Sequence, residues 1–169
     1  MPVWRFGWIS TAIVACWFTP TTDASSVRCV PTPSRPANTF SPFGSAAAYG
    51  PGPIYPVIRT RHGHAVFARS TRPDGFSGFK VLWITQPRYR GSFVVTGRRK
   101  DRAGRLRFVA DDAVGGDNLN TTATFRRAAT RVSGWRGSPS TVLVRSPGCY
   151  VFTIAGSGFR RHITVRVAR

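Results

Sequence analysis

The chain has 169 residues and a formal net charge of +19, from 25 Lys+Arg against 6 Asp+Glu. An apolar content of 41% with only 18% charged residues fits one globular domain of ordinary size and excludes a charged disordered chain. All six acids are aspartates, which argues against chemistry that needs clustered carboxylates, such as glycoside hydrolysis or a multi-carboxylate metal site.

Residues 1–24 have the layout of a secretory signal. Arg5 is the lone positive charge of a short leading region, Phe6 to Phe18 is a mostly apolar run, and Thr22 and Ala24 are small residues placed for cleavage before Ser25. A bilayer-spanning helix needs about 20 apolar residues, more than this run of thirteen. The expectation is a cleaved signal and no transmembrane helix in the mature chain. Ile13-Val14-Ala15-Cys16 offers a second reading, a bacterial lipobox whose lipidated Cys16 would anchor the protein to a membrane. Both readings put the protein outside the cytoplasm, secreted or at the cell surface. Both also consume Cys16, which leaves Cys29 and Cys149 as the one intramolecular pair for an oxidising compartment. A bridge closing a loop of about 120 residues contributes on the order of 4–5 kcal/mol in the chain-entropy account. The alternative leaves Cys149 buried as a small hydrophobe and Cys29 as a free thiol.

Residues 25–56 read as a Pro-rich extended arm, with Pro31, Pro33, Pro36, Pro42, Pro51, Pro53 and Pro56 and with Gly44, Gly50 and Gly52 between them. Proline fixes φ and removes a donor, so neither a helix nor a central strand is expected there. The arm is either a spacer holding the domain off the cell surface or an irregular segment packed on it through Phe40, Phe43, Tyr49 and Tyr55. A Cys29–Cys149 bridge would favour packing.

Residues 57–169 change to a period of two. Ile163, Val165 and Val167 alternate with His162, Thr164 and Arg166, and Leu106 and Phe108 alternate with Arg105 and Arg107. Phe79 to Ile84 reads as a central strand buried on both faces. His64 to Phe67, Ser92 to Thr96, Ala123 to Phe125, Thr141 to Val144 and Cys149 to Ile154 supply further strands. Turn signals separate them, including Pro87 to Gly91, Ala103-Gly104, Gly137 to Pro139 and Pro147-Gly148. No stretch sustains helical periodicity. The pattern predicts an all-β fold, an antiparallel Ig-like β-sandwich, with Val81, Trp83, Phe93, Val95, Leu106, Phe108, Val142 or Leu143, Phe152, Ile154, Ile163 and Val165 in its core.

Lys80-Val81-Leu82-Trp83, Pro87-Arg88-Tyr89-Arg90-Gly91, Gly97-Arg98-Arg99, Trp135, Pro139-Ser140 and Pro147-Gly148-Cys149-Tyr150-Val151-Phe152-Thr153-Ile154-Ala155-Gly156 with Phe159 form a set. This set resembles a segment of uncharacterised exported bacterial proteins, small Ig-like sandwiches behind a signal or lipobox and a Pro-rich arm. The likeness covers roughly residues 29–169. It implies a fold and a compartment, and it carries no activity and no site residue.

Candidate chemistry is sparse. His62 and His64 at i and i+2 would share a strand face and could hold Zn²⁺ or Cu²⁺, against the plainer reading of a solvated turn. Asp111, Asp112 and Asp117 concentrate half the acids in one Gly-containing loop, yet their spacing matches no calcium loop. There is no G-x-S-x-G elbow and no phosphate-cradling loop. Lys80 and Lys100 are the only lysines, so the basic residues are overwhelmingly arginine. Arg98, Arg99, Lys100, Arg102, Arg105 and Arg107 form one dense patch, and Arg160, Arg161, Arg166 and Arg169 another. Such a field attracts polyanions. For an exported chain these are anionic wall polymers, acidic glycans or lipid head groups rather than a specific nucleic acid.

The functional expectation is a non-catalytic, envelope- or surface-associated binding or structural module without a cofactor. The alternatives are a small secreted hydrolase and an extracellular metal-binding module using His62 and His64. An arginine coat with only incidental polyanion affinity is the plainest account of the charge. On that account, exchanging Arg98, Arg99 and Arg102 for lysine should change binding little.

Overall fold

The computed structural model describes residues 28–66, 74–110, 120–126 and 130–168. The signal segment, Cys16, and Asp111, Asp112 and Asp117 lie outside the described residues. The strands are β1 (Ser34–Pro36), β2 (Ala47–Tyr49), β3 (Ile54–Ile58), β4 (Thr60–Arg61), β5 (His64–Val66), β6 (Ser77–Thr85), β7 (Phe93–Arg99), β8 (Arg107–Ala110), β9 (Thr122–Phe125), β10 (Thr130–Val132), β11 (Trp135–Val144), β12 (Gly148–Gly156) and β13 (Phe159–Ala168).

Two sheets pack face to face, as the alternation predicts. Sheet A runs β1-β2-β3-β6-β11-β10, with β8 also paired to β11, and sheet B runs β4-β5-β13-β12-β7-β9. The ladders are antiparallel except for a two-residue parallel contact of β13 with β5. Alternate residues of both sheets meet between them: Phe79, Val81 and Trp83 of β6, Val142 and Val144 of β11, Phe93 and Val95 of β7, Tyr150, Phe152 and Ile154 of β12, and Ile163, Val165 and Val167 of β13. Leu106 and Phe108 join them. Trp83 is fully buried, with Phe152 edge-on at 5.4 Å and Phe125 at 5.9 Å. Its indole N–H donates to the buried Ser140 hydroxyl at 2.8 Å, so the core's largest side chain brings no unpaired polar atom.

The Pro-rich segment is part of the sandwich. It supplies β1, β2 and β3, and β3 runs across residue 56 between β2 and β6. Pro56 is therefore inside a strand that has partners on both sides. This is tolerated because the β2 ladder reaches only Val57 and Ile58, and Pro56 lies just past its end. Pro139 repeats the device. Gly137 to Pro139, expected as a turn, are inside β11. β10 pairs Trp135 to Gly137 and β8 pairs Ser140 to Leu143, so Pro139 falls in the gap between the two partners on that edge.

Residues 37–46, with a 3₁₀ turn at Ala37–Thr39, fold over the outer face of sheet A. Ala37, Ala48, Tyr55, Val57 and Ile84 form a second buried cluster there, with Phe40, Phe43, Leu82 and Trp135 against it. Strand β6 is thus apolar on both faces only toward its end. Ile84 is covered, Leu82 is half-buried and Lys80 is exposed.

The Cys29–Cys149 disulfide is formed, with a Cα–Cα separation of 5.5 Å. Cys149 alternates with the core residues Tyr150 and Phe152, so it sits on the outer face of sheet B. Thr32 lies along the edge of β13, donating its N–H to the Thr164 carbonyl and accepting the Thr164 N–H on its hydroxyl. The chain therefore crosses the outer face of sheet B at Cys29, turns the edge at Thr32 and enters sheet A at β1.

Candidate anion-binding site

The arginine-rich stretch after β7 is divided by the period of the strand. In β7, Phe93, Val95 and Arg99 point inward and are buried, so Val94, Thr96 and Arg98 point outward. Residues 104–106 return beside β7, with Arg98 opposite Arg105 and the Leu106 N–H on the Gly97 carbonyl at 3.0 Å. Gly97 permits that approach, since a Cβ there would overlap the Leu106 side chain. The chain then passes to sheet A as β8.

This brings Arg98 and Arg105 together as exposed cross-strand neighbours of like charge. Like charges in that position repel, so the arrangement favours an anion between them. They border a cleft of about 280 Å³ whose other walls are Thr96, Gly97, Thr121, Thr122 and Thr153. Among the described residues no aspartate lines it. The cleft thus offers two guanidinium forks and several hydroxyls, donors that suit phosphate, sulfate or carboxylate oxygens.

The other members of the predicted patch are placed differently. Arg99 is only 8% exposed and its guanidinium is occupied. It makes a two-pronged ion pair with Asp101, donates to the Ser146 hydroxyl, and donates to the Pro147 carbonyl at 2.8 Å. Its hydrogen bonds from Arg99 hold the Asp101 carboxyl below the usual carboxylate range, and the Arg99 guanidinium is raised in turn. Arg102 donates to the same Ser146 hydroxyl at 3.2 Å. Lys100 is exposed, with its backbone N–H on the Cys149 carbonyl. Arg107 stacks on one ring, Phe76, at 4.9 Å, while Arg145 stacks on it at 4.7 Å. The patch is therefore an outward pair, a clamp on the Ser146–Pro147 turn, and a stacked arginine, three different environments.

The register of sheet B adds Arg160 and Arg166, which lie far away in sequence. Arg160 pairs with Ala155, His162 with Thr153 and Arg166 with Cys149, all on the outer face. Thr153 in turn pairs with Thr96, and Val151 with Arg98. The two basic segments of the sequence thus share one face. His162 Nδ1 is 3.1 Å from the Thr153 hydroxyl. Arg161 instead reaches the Gly52 carbonyl, and Arg169 is outside the described residues.

The histidine pair has lost the geometry that a shared strand face would give. His62 and Gly63 form the two-residue turn between β4 and β5, with φ of 50° and 75°. His62 is at the tip and only His64 is on a strand. Among the described residues no three His, Cys, Asp or Glu side chains cluster to hold a metal. Cys149 is in the disulfide and cannot act as a nucleophile.

Arg136 is a charged group that sequence reading missed. It donates to the Tyr89 carbonyl at 2.6 Å, Gly91 at 3.1 Å and Arg90 at 3.3 Å, clamping the turn that carries the chain from sheet A to sheet B. Burial, with Arg131 and Arg90 nearby, lowers its pKa. Nothing local in Trp135-Arg136-Gly137 signals this role, because its partners lie 45 to 47 residues away.

No protein-family model, curated protein or solved structure matches the chain. Among the described residues no helix is long and apolar enough to cross a membrane.

Proposed function

We propose that the chain is a non-catalytic, exported, envelope- or surface-associated binding module, and that the outer face of sheet B engages anionic polymer, with Arg98 and Arg105 as its phosphate-binding pair. The observation that carries this reading is their juxtaposition over a threonine-lined cleft that no aspartate lines among the described residues. The Cys29–Cys149 disulfide supports export, since such bridges persist in oxidising compartments. Residues 1–24 supply the signal, or the lipobox at Cys16, in this account. A phosphate-bearing wall polymer fits better than a neutral glycan because guanidinium forks match phosphate oxygens.

The test keeps the charge and removes the forks. Exchanging Arg98 and Arg105 for lysine should weaken binding to a polyphosphodiester such as a purified teichoic-acid-type polymer by more than about tenfold. The same exchange at the exposed Arg88 and Arg90 should change it less than about twofold. Equal losses from both pairs, or none from either, would reduce the face to a screened arginine coat. Arg99 and Arg102 are unsuitable for this test because they hold the Ser146 turn.

A further inference from the structure

A larger concavity, of about 970 Å³, lies on the other side of the sandwich, on the outer face of sheet A. Its floor contains Val57 of β3 and Leu82 of β6, which are cross-strand partners. One wall is the covering segment at Pro42 and Phe43, held in place by Phe43 lying over Gly137. Arg35, Arg59 and Lys80 also line it, and no aspartate does so among the described residues. All three are exposed, and Arg35 is stacked over Phe40 at 4.0 Å, which leaves Arg59 and Lys80 as the cations at the rim.

This chemistry differs from that of the threonine cleft. An apolar floor recruits an apolar body, and unopposed cations at the rim select a negative head. The volume is that of a small-molecule site. We infer that this groove binds a monomeric, single-chain anionic amphiphile, with its alkyl chain on Val57 and Leu82 beside Phe43 and its carboxylate or phosphate head at Arg59 and Lys80. A neutral lipid leaves the cations without a partner. A small inorganic anion leaves the half-buried Leu82 and Phe43 uncovered. A strand-spanning polyanion gains nothing from Val57 and Leu82. The site is independent of the sheet B face.

The experiment titrates the disulfide-bonded protein with octanoate, decanoate and dodecanoate below their micellar concentrations, by calorimetry and thermal melting. Affinity should rise about two- to fourfold with each added methylene, and each ligand should raise the melting temperature because it binds the native state. The double exchange Arg59→Gln with Lys80→Gln should weaken dodecanoate by more than about tenfold while leaving the unliganded melting temperature in place. Arg98→Lys with Arg105→Lys should leave dodecanoate binding unchanged, so failure of this site and failure of the proposed function are separable. Any of four results would overturn the inference: dodecanol or dodecyltrimethylammonium binding as tightly as dodecanoate, acetate competing as well as the long chains, a lowered melting temperature, or binding seen only with anionic phospholipid vesicles.

Discussion

The outer face of sheet A carries Tyr55, Val57, Leu82 and Ile84, and residues 37–46 fold over much of it. The outer face of sheet B carries Thr96, Thr153, Thr164, Arg98 and Arg166 beside the buried Cys149 and Val151, and among the described residues the chain crosses it on the way from Cys29 to Thr32. One N-terminal segment serves both faces by different means. On sheet A it is held by apolar burial and an aromatic group, with Phe40 at 4.9 Å from Tyr55 and 5.8 Å from Trp135. On sheet B it is held by one covalent bond and the Thr32 hydrogen bonds. Polar residues on a strand face need no cover, because water satisfies them; apolar ones do. The arm covers what the sheet A sequence would otherwise leave exposed, and leaves Arg98 and Arg166 of sheet B exposed and its threonines half-buried.

The strongest way to break this contrast is to cut the covalent hold. Exchanging Cys29 and Cys149 for serine removes a bridge spanning 120 residues. Denaturation should then show a loss of about 2–5 kcal/mol, reproduced in the wild type by reductant. Residues 37–46 should stay protected from proteolysis in the variant, because their packing on Tyr55 and Ile84 does not use the bridge. Loss of protection there would show that the cover depends on the disulfide and that the two holds are one.

A second pair of substitutions compares the faces directly. Ile84 is fully buried beneath the cover, and Ile84→Ala should cost about 2–5 kcal/mol. Thr153 occupies the corresponding outward-facing layer of sheet B and is half-buried beside His162, so Thr153→Ala should stay within about 0.5 kcal/mol. Similar costs at the two positions would mean that sheet B's outer face is covered as well.

The period of two made the sandwich legible. Every core position expected from β6, β7, β8, β12 and β13 is in the buried cluster, and so is Val142 of the pair offered for β11. The first three strands were not legible, for a local reason. Proline forbids a ladder bond at its own nitrogen but says nothing about its neighbours, and Pro56 and Pro139 each sit where the adjacent ladder has ended. That information belongs to the partner strands. The candidate site was half legible. Composition found the arginines, but the split of Arg98 from Arg99 follows from which face of β7 is inward, and the union of Arg98 with Arg160 and Arg166 follows from register across three strands.

The smallest effect expected concerns the two arginines that the fold draws out of solvent. Arg99 has a carboxylate partner, and Arg136 has carbonyls alone among the described residues. Hydrogen bonds from Arg99 lower the Asp101 pKa in the folded state. A carboxyl shifted downward binds its proton more weakly in the native state than in the unfolded one. Its contribution is therefore complete above the unfolded value of about 3.9 and is lost as pH falls through the lower folded value. Asp101→Asn lacks this titration. The stability gap between wild type and Asp101→Asn should be constant from neutral pH down to about pH 5 and should narrow below about pH 4. The Arg136→Lys gap should show no such narrowing, since carbonyls do not titrate. A gap for Asp101→Asn that stays level into the acid range would mean that Arg99 is held by Ser146 and Pro147 alone. Its fork would then be open to an external anion, and the outward pair on sheet B would no longer be the sole arginine site in that stretch.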